Sequence, residues 1–245
     1  MARIELRDCT IRFKDGLSGV AALTATPPVA TDVDMDVDSI VLNTADTDLI
    51  PVGARFTVAG ETASTTIHTV TARTPASTSP TTNVVFTPAL GAGTYAEDGV
   101  VTFMPQILEI KIGDGNLTYT EHRTYEYMLD RGDLDTVREG NEVPLDVKLE
   151  CTYEHITTGT SETISPMDAL KGIGEAAEWV SSSSDQCEPY AIDVEVEHNP
   201  PCGTSQTEIT LFPDFRAETK EINFKEATIA LTGKCNVVEP TVTRE

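Results

Sequence analysis

The chain has 245 residues, 17 of them basic and 40 acidic, for a net charge of −23. A surface of that sign repels phosphates, which argues against a protein built to grip nucleic acid. With 39% hydrophobic and 23% charged residues the composition suits a globular fold, with room for one large domain or two small ones.

No apolar run approaches the ~20 residues of a membrane helix, and Met1-Ala2-Arg3-Ile4-Glu5 lacks the apolar core of a signal peptide. A soluble, non-secreted protein without a membrane partner is expected. Residues 3–14 spell a strand in which Ile4 and Leu6, then Ile11 and Phe13, alternate with charged neighbours. The change of phase near Asp8-Cys9 predicts a bulge, and Asp15-Gly16 is a turn signal. From residue 25 to 104 the composition shifts to Thr, Ala, Val, Pro and Gly, with no lysine. Short strand candidates there are Ser39–Leu42, Arg55–Val58, Thr66–Ala72, Val84–Thr87 and Val100–Phe103, separated by turn residues. That spacing predicts a small all-β module inserted into a second domain.

From Gln106 the charged, alternating style returns. Ile107–Ile112 is a strand that ends at the hairpin signal Gly113-Asp114-Gly115-Asn116, and Leu117–Leu129 continues as a strand or extended arm. Residues 130–144 are polar, charged and turn-prone, and read as a long loop. Pro144–Tyr153 alternates with Leu145, Val147, Leu149 and Cys151 inward. One helix is predicted, over Ser165–Val180, with Ser165 as N-cap, Pro166 at the first helical position, Asp168 at N3 and an apolar stripe of Met167, Leu170, Ile173 or Gly174, Ala177 and Val180. Tyr190–His198, Thr207–Phe212, Glu218–Phe224 and Ala227–Val238 follow as strands, and Glu239–Glu245 as a loose tail. The fold class is therefore mostly β: segments 1–24 and 105–245 make a sandwich or open barrel with one flanking helix, interrupted by the insertion 25–104.

Catalytic signatures are missing: there is no G-x-S-x-G elbow, H-E-x-x-H motif or P-loop, and no enzyme activity or cofactor is expected. Cys151 and His155 lie four apart in extended chain, some ~13 Å along it, too far for a nucleophile–base pair. The five cysteines (Cys9, Cys151, Cys187, Cys202, Cys235) and four histidines lack metal-ligand spacing. Cys187 and Cys202 flank one predicted hairpin and are placed to pair in an oxidising medium, whereas reduced thiols are the default elsewhere. Asp32-Val33-Asp34-Met35-Asp36 superficially matches a calcium loop, but Val37 and Asn43 stand where its glycine and glutamate belong, so a strand with an acidic face is preferred. Asp193, Glu195 and Glu197 alternate with Ile192, Val194 and Val196, giving a strand with one acidic face that lines either a lumen or the outer surface.

Residues 108–156 (LEIKIGDGNLTYTEHRTYEYMLDRGDLDTVREGNEVPLDVKLECTYEHI) resemble the major tail tube proteins of long-tailed bacteriophages. So do Cys187-Glu188-Pro189-Tyr190, Phe212-Pro213-Asp214-Phe215-Arg216 and Thr232-Gly233-Lys234-Cys235-Asn236, with the helix after Ser165-Pro166-Met167-Asp168. The likeness covers roughly residues 1–24 and 105–238. It implies a tail-tube-type β-sandwich with a flanking helix, six-fold rings stacking into a virion tube assembled in the host cytoplasm, and a bore that passes phage DNA without binding it. The long loop 119–144 would then be the arm that reaches the adjacent ring, through Tyr119, Arg123, Tyr125, Arg131 and Arg138. The acids Asp193, Glu195 and Glu197 are candidates for the lumen. Partners would be other copies of the chain and further tail proteins at the tube ends. The insertion resembles a small β module of phage virion proteins, most easily accommodated outside the tube. A tail terminator, head–tail connector or decoration protein of the same sandwich type is the alternative, and an adhesin or carbohydrate-binding module a more distant one, because the insertion offers only Tyr95 and no tryptophan for a sugar to stack on.

Overall fold

The computed structural model describes residues 6–23, 32–36, 50–61, 66–75, 81–91, 99–153, 156–157, 163–183, 187–198 and 207–244. Its strands, in chain order, are β1 (Cys9–Lys14), β2 (Gly19–Leu23), β3 (Asp32–Asp36), β4 (Arg55–Val58), β5 (His68–Pro75), β6 (Thr81–Thr87) and β7 (Val100–Met104). Next come β8 (Ile107–Ile110), β9 (Leu117–Thr120), β10 (Tyr125–Asp130), β11 (Asp133–Glu139), β12 (Leu145–Thr152), β13 (Ile156–Thr157) and β14 (Thr163–Ile164). A helix, α1 (Pro166–Lys171), precedes β15 (Ile192–His198), β16 (Glu208–Asn223), β17 (Thr228–Cys235) and β18 (Thr241–Arg244). The protein is mostly β, as the alternating patterns predict. Two compact units divide the chain: residues 1–13, 109–154 and 192–245 form one, residues 14–108 and 155–191 the other.

The first unit is built on a sheet ordered β8-β1-β15-β16-β17-β12-β9, with β18 paired to β16. Along β12 and β17 the buried residues face one another in register: Leu145 opposite Cys235, Leu149 opposite Leu231 and Cys151 opposite Ile229. Period-two burial on both strands is what a sheet with one apolar face requires. The strands predicted over Thr207–Phe212 and Glu218–Phe224 are one sixteen-residue strand, β16, which changes partners midway. Its first half pairs with β15 and β18, and its second half, from Arg216, pairs with β17. Such a switch turns the strand from one half of the sheet to the other. Gly233 allows the turn, because a Cβ there would lie 2.2 Å from the Arg216 carbonyl and 2.7 Å from the Phe215 ring.

Other elements depart from the sequence pattern. The phase shift near Asp8 is a 3₁₀ turn, Leu6–Asp8, ahead of β1 rather than a bulge within it. The tail expected to be loose contributes β18, joined to β16 by the ion pair of Arg244 with Glu208 at 2.7 Å.

The second unit contains a closed barrel, β2-β3-β6-β5-β4-β7, running from Gly19 to Met104, so its first strand begins before the change of composition at residue 25. Asp32–Asp36 is strand β3, paired with β6; the candidate strand Ser39–Leu42 lies outside the described residues. Phe56, Val58, Val70, Val84, Phe86, Leu90, Val101 and Phe103 fill the barrel, and Leu17 and Val180 join the same core. The carboxylate of Asp15, 1% exposed, accepts backbone N–H bonds from Leu17 (3.2 Å), Gln106 (2.6 Å) and Val180 (3.2 Å), fastening three chain segments together. Burial pushes its pKa up to about 7, against the pull of those N–H donors.

The helix is shorter than its apolar stripe predicts. Ser165 is the N-cap, as expected, and with Asp168 it closes a capping box, Asp168 N–H donating to Ser165 Oγ at 3.1 Å. Gly172 then takes the left-handed conformation (φ 59°, ψ 45°) and ends α1 after Lys171. Gly174 also has positive φ, and a 3₁₀ turn over Gly174–Ala176 replaces the rest of the predicted helix. Ile173, placed by helical spacing on the apolar face, is consequently 49% exposed.

Candidate assembly surface

The stretch predicted as an arm loop is a β-hairpin. β10 and β11 pair antiparallel from Tyr125–Glu139 to Asp130–Asp133, and the turn between them is Arg131-Gly132. Both turn residues have positive φ, 51° and 96°, as a two-residue hairpin turn matched to the strands' twist demands. Glycine supplies one such position freely; Arg131 is among the few non-glycine residues with positive φ. Polar composition masked β11, because Asp133, Asp135, Arg138 and Glu139 dominate it.

Every residue of both strands is exposed. The register nevertheless sorts them by face. Tyr127 lies opposite Val137, and Leu129 opposite Leu134, with a bulge between Met128 and Leu129 that puts Leu134 and Val137 on one side although they are three apart. Tyr125, Tyr127, Leu129, Leu134 and Val137 thus share a face, joined at its base by Glu139. Exposures on this face rise to 62% for Tyr127 and 72% for Leu134. The opposite face carries Glu126 across from Arg138 and Met128 across from Thr136. An amphipathic two-stranded sheet with its apolar side in water is marginal alone, which makes this face a candidate interaction surface.

The hairpin's base is tied down. Gly140 N–H donates to Thr124 O at 2.8 Å, and Thr124 Oγ1 donates to Asn141 O at 2.8 Å. Arg123 pairs with Glu239 at 2.6 Å, and His122 Nε2 lies 2.8 Å from Asp146 Oδ2. His122–Thr124, Glu139–Glu142 and Val237–Glu239 surround a cleft of about 440 Å³. Of the five residues predicted for the arm, Tyr125, Arg131 and Arg138 are in the hairpin and Arg123 is at its base. Tyr119 belongs to edge strand β9, where its ring packs 5.2 Å from that of Phe212. The sequence pattern did not single out Leu129, Leu134 and Val137; the alternation Tyr125-x-Tyr127-x-Leu129 was the available signal.

The acids of β15 have internal partners. Asp193 Oδ1 accepts the backbone N–H of Asp214 at 2.9 Å. Arg12 of β1 pairs with Glu195 at 3.2 Å and with Glu197 more closely still. Glu195 is only 7% exposed. Each carboxylate therefore holds neighbouring strands of its own unit together, an engagement that the simple alternation of β15 does not reveal.

Burial pushes the thiols of Cys151 and Cys235 up to about 12, so both remain protonated and unreactive near neutrality. Cys202 and His155 lie outside the described residues, and with them the Cys187–Cys202 and Cys151–His155 pairings. Among the described residues no cluster of His, Cys, Asp and Glu is arranged to hold a metal, and no helix is long and apolar enough to cross a membrane. No family model, curated protein or solved structure matches the chain.

Proposed function

We propose that this chain is a structural subunit that assembles with copies of itself into stacked rings, as a tail tube protein of the long-tailed phage type. The observation that carries the reading is the hairpin 125–139, whose five apolar side chains face water on a two-stranded sheet. A second copy supplies the missing cover, so the hairpin is the arm between rings. The sheet of the first unit ends in two short edge strands, β8 and β9. Edge-to-edge pairing between copies satisfies both edges, and a head-to-tail contact of this kind closes into a ring when its rotation permits.

The net charge of −23 suits a wall along which DNA slides without sticking. Because Arg12 and the Asp214 amide engage the β15 acids, the repulsion comes from the whole acidic surface more than from those three groups. Negative-stain images of the purified chain at rising concentration test the reading. Stacked rings or hollow tubes are expected. Single rings that never stack would favour a connector or terminator, and a chain that stays monomeric would overturn self-assembly.

A further inference from the structure

The hairpin 125–139 has a tip and a base of different chemistry. Its tip is Asp130-Arg131-Gly132-Asp133, exposed throughout. Arg131 stands there at positive φ, a conformation that side chains other than glycine disfavour. Its guanidinium makes no ion pair among the described residues, and so is available to another molecule.

At the base, the cleft of about 440 Å³ falls within the ~300–1,000 Å³ range of binding sites. Charges of both signs line it. Arg123 is engaged by Glu239 at 2.6 Å, and His122 Nε2 by Asp146 Oδ2 at 2.8 Å. Glu139 and Glu142 line the same cleft and make no ion pair among the described residues. The whole site falls within the described stretches 99–153 and 207–244. Two carboxylates at the base therefore lack a cation, and one cation at the tip lacks a carboxylate. Within one chain they cannot meet. From the Tyr125–Glu139 pair to the Asp130–Asp133 pair the strand takes five steps, about 17 Å, farther than an arginine of the same turn can reach back.

We propose that the turn of one copy seats in the base cleft of the next, with Arg131 between Glu139 and Glu142. This rests on the self-assembly reading above and specifies which parts of two copies meet. Asp130 and Asp133, on either side of Arg131, then face Arg123, whose guanidinium has five N–H donors to share between Glu239 and an incoming carboxylate. Tip and cleft are different patches, so the contact is heterologous. Any stack built this way keeps a free tip at one end and a free cleft at the other, and growth continues. Two hairpins laid apolar face to apolar face would instead make an isologous contact and stop at a pair.

Charge reversal tests the seat. Sedimentation velocity of the full chain over a concentration series, at about 0.05 M salt where charge pairs are little screened, compares the wild type, Arg131→Asp, Glu142→Arg and the double variant. Both positions are exposed, and aspartate tolerates the backbone of position 131 better than arginine, so the fold is not at stake. Each single reversal should raise the concentration needed for stacking at least about tenfold, the low end for close charge pairs across an interface. The double variant should recover wild-type stacking to within a few-fold. Single variants that stack as the wild type does, or a double variant no better than either single one, would overturn the seat and leave self-assembly standing. A wild type that stays monomeric at every concentration would overturn both.

Discussion

The carboxylate of Asp193 on β15 accepts the backbone N–H of Asp214 at 2.9 Å, and Asp214 sits with positive φ (52°) where β16 bends. Ile192 faces Phe215 while Val194 faces Phe212, so β16 carries one extra residue across this pair. Asp193 thereby satisfies an amide that the bulge removes from the ladder. Asp193→Ala should cost about 1.5–3 kcal/mol, the range for a hydrogen bond to a charged acceptor, read from urea unfolding. Asp214→Gly should be neutral or slightly stabilising, whereas Asp214→Val should destabilise because a β-branched residue resists that backbone conformation.

Arg12 holds two carboxylates of the adjacent strand, one of them buried. Arg12→Ala leaves both without their cation and should lower stability by about 2–4 kcal/mol, somewhat less than loss of a fully buried pair. Arg12→Lys should recover only part of this, since a single ammonium does not reproduce the guanidinium fork. Denaturant midpoints of the three proteins decide between these outcomes.

Asp15 gives the second unit a pH dependence of definite sign. Its carboxyl rises from the ordinary 3.8 to about 7 on burial. The folded form thus favours the neutral acid: the contribution is complete below about pH 4 and is lost as the pH rises through about 7. The upper bound is about 4 kcal/mol across that window. Thermal melts should shift downward from acid toward neutral pH, and Asp15→Asn should remove most of the slope.

Arg131 occupies a turn position that asparagine or glycine fills more easily. Arg131→Asn should keep or slightly strengthen the hairpin. If the guanidinium also contacts the neighbouring copy, assembly weakens while the fold does not, and sedimentation separates the two effects.

How far the sequence disclosed this structure varies with the origin of each signal. Leu145 to Cys151 alternates cleanly because β12 buries one face only, and the Ser165–Asp168 cap is written within four residues. The single strand β16 was hidden, because Pro213 and Asp214 look like an ending when they are a bend. Helical spacing extended α1 past Gly172, where a left-handed residue packed against the Tyr190 ring stops it. Residues 125–139 were legible as a distinct segment but not as a hairpin, since the apolar residues of one face are diluted by the charged residues of the other. Pairings such as Arg12 with Glu195, 183 residues apart, leave no local trace at all.

Assembly through the hairpin face is tested most directly by comparing the wild type with the double variant Tyr127→Ser, Leu129→Ser in sedimentation velocity across a concentration series. Both substituted side chains are more than half exposed, so stability should change by no more than about 0.5 kcal/mol per site. The wild type should grow into large, concentration-dependent species while the variant, equally folded, remains at single rings or smaller. A variant that assembles as the wild type does, or a wild type that stays monomeric at every concentration, would contradict self-assembly through this face.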